Sequence, residues 1–284
     1  MKHGSKKKAW LVIFVIYGLL CAGCAARKKI PPEQVVSLPL QHFEAGEYRQ
    51  AIIGFSSAYR AHPGEKAILE AYVKCLERIR QSADQAFESN NYSSAEKTYS
   101  LLFENLPSFR EFQKLLSFSG KYLSDRIKGC RFSAARGRTH RALEAREFQQ
   151  ALAEMQSLVR SYPGDTDVLT SLVSLSSEIK RTADLALAGE DYITAGKACY
   201  ALWKDYPLLK KSGAALPFSR IILDDGIKAC RVQLTRKGLE QYRKGNLTEA
   251  IFFWQGLLAF DPDNVEIKKA VETAAEQLKR IKKG

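Results

Sequence analysis

Residues 238–262 read GLEQYRKGNLTEAIFFWQGLLAFDP, and the spacing inside this stretch decides the fold. Leu247 stands three residues before Ala250, and Pro262 follows twelve residues after it. The same spacing recurs as Tyr48, Ala51 and Pro63; Tyr92, Ala95 and Pro107; Phe148, Ala151 and Pro163; and Tyr192, Ala195 and Pro207. Five of the nine prolines therefore share one position in an internal repeat. Ala to Pro spans about 18 Å of α-helix, and Pro, lacking an N–H, is expected to end it. Residues 45–47, 89–91, 189–191 and 244–246 are turn-prone, with Gly and Asn suited to a left-handed backbone. Ala145-Arg146-Glu147 lacks them and is expected to be the weakest turn. Four residues past each Ala comes Phe55, Tyr99, Met155, Cys199 or Trp254, and seven past comes Ala58, Leu102, Leu158, Leu202 or Leu257. Such spacing draws one apolar stripe on a helix, with the Ala where a second helix comes close.

A longer order overlies this one. The repeat alanines lie 44, 56, 44 and 55 residues apart, and residues 43–131 recur at an offset of 100. Gln50-Ala51 matches Gln150-Ala151, Pro63-Gly64 matches Pro163-Gly164, Ala83-Asp84 matches Ala183-Asp184, and Cys130-Arg131 matches Cys230-Arg231. This reads as tandem duplication of a two-hairpin module, closed by a fifth hairpin. The extra residues are expected to lengthen first helices, as over 66–89, or to add one over 109–123.

The pattern resembles the tetratricopeptide repeat (TPR), a helix–turn–helix family. Gly238, Tyr242, Gly245, Leu247, Ala250, Trp254 and Pro262 carry the resemblance best. It implies an all-α fold, an α-solenoid of about five TPR-like hairpins over residues 41–263, while the apolar stripe and basic end of residues 264–284 read as a capping helix, with a docking helix for a partner as the alternative. Ala83 and Ala183 occupy the small-residue position of the first helix. Pro39 and Thr139 replace it in units one and three, where the first helices are expected to be shorter or displaced. The resemblance also implies that first helices line a groove. Its walls would carry Arg80, Asp84 and Phe87; Lys180, Asp184 and Leu187; Arg136, His140 and Leu143; and Leu239 and Tyr242. A base, an acid and an apolar side chain in these places would grip an extended peptide or a helix.

The first 23 residues read as an address. Lys6-Lys7-Lys8 precedes an apolar run from residue 9 to 22, which as a helix is about 21 Å long, short of the roughly 30 Å of a bilayer core. A basic start and a short apolar stretch form a secretory signal. Leu20-Cys21-Ala22-Gly23-Cys24 resembles a bacterial lipobox, with Cys21 where Leu is usual. That resemblance implies cleavage between Gly23 and Cys24, a lipid on the Cys24 thiol, and, from Ala25, an outer-membrane address. Residues 24–40, with Pro31, Pro32 and Pro39, read as an extended tether.

The whole chain of 284 residues carries a net charge of +13. Removing residues 1–23 takes four lysines and leaves 40 basic against 31 acidic residues, a net +9. These charges are spread along the helices, and secretion argues against nucleic acid as a partner. Cys75, Cys130, Cys199 and Cys230 show no metal-ligand spacing, and His42, His62 and His140 stand in no catalytic spacing. There is no HExxH, GxSxG or phosphate-cradling Gly loop, so neither an enzyme nor a cofactor is expected. The expected function is a lipid-anchored scaffold or adaptor at the bacterial envelope, binding other envelope proteins. The alternatives are a subunit of an outer-membrane assembly, pilus or secretion machine, a wall-acting enzyme or wall-polymer binder on a helical superhelix, and a cytoplasmic adaptor.

Overall fold

The computed structural model describes residues 31–213 and 215–282. The expected signal, its Gly23–Cys24 cleavage point and the Cys24 lipid lie outside these residues. The described chain is all-α, with eleven α-helices, one 3-10 segment and no strand. Five antiparallel hairpins follow one another. They are α1 (Pro32–Glu44) with α2 (Tyr48–Ala61), α3 (Lys66–Glu88) with α4 (Tyr92–Glu104), α5 (Gly120–Glu144) with α6 (Phe148–Ser161), α7 (Thr166–Ala188) with α8 (Tyr192–Lys211), and α9 (Arg220–Arg243) with α10 (Leu247–Leu258). The 3-10 segment, Leu106–Leu115, follows α4, and α11 (Val265–Ile281) closes the series. The duplication is visible in these bounds: α2, α3 and α4 begin 100 residues before α6, α7 and α8.

Contacts divide the described residues into two units, 31–82 with 100–123 and 83–99 with 124–282. In the first, Ile52, Phe55, Ile68, Tyr72, Leu76 and Ile79 are fully buried, as is Phe109 of the 3-10 segment. In the second, one continuous core runs from Ala135 to Ala274. There the helices pack on their chain neighbours, α7 on α8, α8 on α9, α9 on α10 and α10 on α11, in solenoid fashion.

All five repeat alanines, Ala51, Ala95, Ala151, Ala195 and Ala250, are fully buried. The stripe residues Phe55, Tyr99, Met155, Cys199 and Trp254 are buried beside them. The closest approaches use glycine. A Cβ on Gly238 of α9 would lie 2.2 Å from Nε1 and 2.5 Å from Cδ1 of Trp254 on α10. Between α8 and the α10 end, Gly196 receives Phe260 and Gly256 receives Ile193, each closer than 2.5 Å to such a Cβ.

Each hairpin turn has the same backbone. One residue has positive φ, namely Gly46 at 77°, Asn90 at 61°, Arg146 at 57°, Glu190 at 57° and Gly245 at 79°. The next residue donates its N–H five positions back, as Glu47 to His42, Asn91 to Ala86, Glu147 to Ala142, Asp191 to Ala186 and Asn246 to Gln241, at 2.8–2.9 Å. This is the Schellman closure. The turn at Arg146, expected to be weakest, closes like the rest. Two backbone bonds form it whatever the side chain, and the Arg146 guanidinium is itself held by Asp191.

Several expectations change. The tether does not stay extended to residue 40, because Pro31-Pro32 pre-set the first turn of α1 from Pro32. Pro39 lies inside α1, its ring against Gly54, whose missing Cβ leaves room. The first helix of hairpin three is not shortened by Thr139; α5 is 25 residues long. Pro207 does not end its helix, since α8 continues to Lys211 and buries Leu209 completely. In place of an added helix over 109–123 there is the 3-10 segment Leu106–Leu115, kinked at Phe109 and Phe112, whose rings turn inward, and α5 already begins at Gly120.

Candidate partner-binding site

In the second unit a trough of about 680 Å³ runs between the first helices α5 and α7. From α5 come Arg136, Thr139, His140 and Leu143; from α7 come Ser171, Ser174, Leu175 and Glu178; Met155 of α6 forms part of the floor. Spacings of three, four and seven residues place each set on one helical face. Met155 and Leu175 are buried and Leu143 is half-buried, so the floor is apolar. Arg136, His140 and Glu178 are exposed at the rim.

The polar groups are unevenly satisfied. His140 Nε2 lies 3.2 Å from Glu144. Neither Arg136 nor Glu178 has an ion-pair partner among the described residues. Thr139 is 7% exposed, and its hydroxyl has no hydrogen-bond partner among the described residues. A helical Thr ordinarily returns its hydroxyl to the carbonyl one turn back; the Thr139 hydroxyl does not, and it faces the trough.

The two walls are joined at one end. Arg146, in the turn after α5, donates to Asp191 at 2.8 Å and to Thr194 at 2.5 Å. Asp191 caps α8 directly after α7 by accepting the Thr194 N–H at 3.1 Å. Burial pushes the Asp191 carboxyl upward, but Thr194 and the Arg146 guanidinium outweigh it and hold it below the ordinary range.

Of the groove residues expected from the sequence, Arg136, His140 and Leu143 line the trough. The others have different surroundings. Arg80 donates to Glu77 at 3.1 Å, and Glu77 accepts the Ser117 N–H at 2.5 Å and hydroxyl at 2.7 Å. That cluster fixes the chain as it leaves the 3-10 segment. Asp84 accepts from the Tyr99 hydroxyl and lies 3.9 Å from Arg126, whose guanidinium covers the Phe87 ring at 5.0 Å. Lys180 and Asp184 pair at 2.6 Å, Leu187 packs on the core, and the Tyr242 ring lies 5.8 Å from Trp254. Sequence reasoning missed Thr139, Met155 and the whole α7 wall. Their only signal was the pairing of α5 with α7 by position in successive hairpins.

The thiols are poor nucleophiles. Burial pushes Cys75 and Cys230 up to about 12, and Cys130 and Cys199 up to about 11. Among the described residues no group of His, Cys, Asp and Glu could hold a metal ion.

The chain is thus an all-α protein of consecutive helical hairpins, carrying an open trough between first helices. No protein-family model matches it, and no curated protein matches it significantly.

Proposed function

We propose that this protein is an envelope scaffold or adaptor that holds a segment of a partner protein in the trough between α5 and α7, without chemistry. The trough itself carries the reading: an apolar floor, an unpaired base and acid at the rim, and an orphaned hydroxyl in the wall. Leu143, Met155 and Leu175 supply burial, while Arg136, Glu178 and Thr139 supply orientation. The four buried thiols, held protonated at neutral pH, support binding over catalysis. The TPR-like spacing and the lipobox-like end support a tethered adaptor, in which lipid on Cys24 concentrates the trough at a membrane.

Affinity capture from solubilised membranes, comparing wild type with Arg136→Glu/Glu178→Lys, tests the trough. Both substitutions are at exposed positions, so the fold survives. A partner retained equally by the reversed pair removes the assignment. Labelling with palmitate tests the tether, and wild-type protein that incorporates no more label than Cys24→Ala rules it out.

A further inference from the structure

The duplication supplies a comparison inside one chain. In the first copy, the ring of Phe112 lies edge-on to Tyr59 of α2 and to Tyr72 of α3, both at 5.2 Å between centroids. Phe112 is 5% exposed, so the corner between α2, α3 and the Pro63–Gly64 turn is plugged by the chain's own aromatic side chain. In the second copy, the corner has the same backbone, with α6 and α7 ending and starting 100 residues on and Pro163–Gly164 in the turn. Its walls are smaller, since Val159 replaces Tyr59 and Leu172 replaces Tyr72. The plug is also gone. After the second helix the chain runs on as α8 to Lys211, and Ser212 stands at the position of Phe112. What remains is an open pocket of about 430 Å³, lined by Val159, Leu172, Leu208 and Gln156, with Arg160 and Lys211 at its edge.

Its chemistry is specific. Leu208 is 52% exposed, although the core behind it is well packed. Gln156 of the lining interacts with the half-buried Asp205 carboxylate and offsets part of the rise that burial gives it. Arg160 and Lys211 are exposed, have no ion-pair partner among the described residues, and no carboxylate lines the pocket. Residues 1–30 contain no Asp or Glu, so the chain's own beginning does not match these cations.

We infer that this pocket takes an aromatic side chain from a protein partner, with a carboxylate beside the ring meeting Arg160 and Lys211. The first copy shows what fits between these walls, and the unpaired cations state the charge of its neighbour. The pocket shares no residue with the trough, so it is a second docking point on another face of α6 and α7.

Fluorine NMR of the full chain with para-fluorophenylpropionate tests this, with the corresponding uncharged amide as control. A ligand of this size is expected to bind with Kd on the order of millimolar. Arg160→Glu/Lys211→Glu is expected to weaken it by about tenfold. Val159→Trp, which fills the space between the walls with an indole, is expected to abolish binding. The charge-reversed variant carries the test if the refilled one does not fold. The inference is overturned if the acid does not bind, if the amide binds as tightly, or if the charge-reversed variant binds like wild type. Loss of the probe in Arg136→Glu would place it in the trough and overturn it equally. Self-association abolished by Val159→Trp would make a second copy the occupant and would also overturn it.

Discussion

Gly238→Ala adds one methyl group to the middle of α9, where ordinary helix energetics favour it by about 1 kcal/mol. In this protein the methyl would arrive 2.2 Å, 2.5 Å and 2.7 Å from three atoms of the Trp254 indole. Trp254 is 5% exposed, so the ring has little room to retreat. Overpacking of this kind costs about 3 kcal/mol at its upper end, which leaves a net destabilisation of about 2 kcal/mol. Trp254→Leu removes the indole and by itself destabilises through the cavity it leaves. In that background the methyl has space, and Gly238→Ala is expected to stabilise by about 1 kcal/mol. The sign of the substitution thus inverts, with a coupling energy of about 3 kcal/mol. Urea denaturation followed by far-ultraviolet circular dichroism, on the four members of the cycle, measures it. Equal effects of Gly238→Ala in both backgrounds, or a stabilised single variant, would refute the view that glycine nests the indole of hairpin five.

Two further outcomes follow from the turns and the buried acids. Glu190 holds φ at 57°, a conformation that costs a non-glycine residue about 1–2 kcal/mol, so Glu190→Gly is expected to stabilise by about 0.5–1 kcal/mol after the added freedom of the unfolded chain. Thermal unfolding checks this, and an unchanged or lowered Tm rejects it. Burial raises the Glu77 carboxyl, but the Ser117 N–H and hydroxyl and Arg80 outweigh it and leave it below the ordinary range. Its stabilisation is therefore fully present above the unfolded value of about 4.3 and is lost as pH falls through the lower folded value. Glu77→Gln is expected to be less stable at neutral pH with a shallower acid limb; parallel stability–pH curves for the two proteins would contradict it.

Most of the architecture was legible because the repeat spacing reports the tightest contacts. Ala51, Ala95, Ala151, Ala195 and Ala250 leave a mark in the sequence where helices touch, and the following aromatic or aliphatic residues mark the same face. The exceptions arise where tertiary packing overrules local preference. Pro207 sits in a continuous helix because the turn beyond it buries Leu209. Phe109 and Phe112 follow no helical period because they fill a corner shaped by Tyr59 and Tyr72. The trough was half legible for a similar reason. Arg136, His140 and Leu143 share one helix and declare themselves by spacing, whereas Met155 and the α7 wall depend on how two hairpins meet. Arg80 and Asp84 matched the same register, yet their charges are used internally, which spacing alone does not reveal.

The clasp of Arg146 on Asp191 joins the far ends of the two walls of the trough, and its side chains are 59% and 41% exposed. Ions in the surrounding medium reach such a pair and weaken it over a Debye length of about 8 Å at physiological strength. The gap between α5 and α7 is therefore tied to ambient salinity, and a guest with no charge of its own would still feel the composition of the fluid around it.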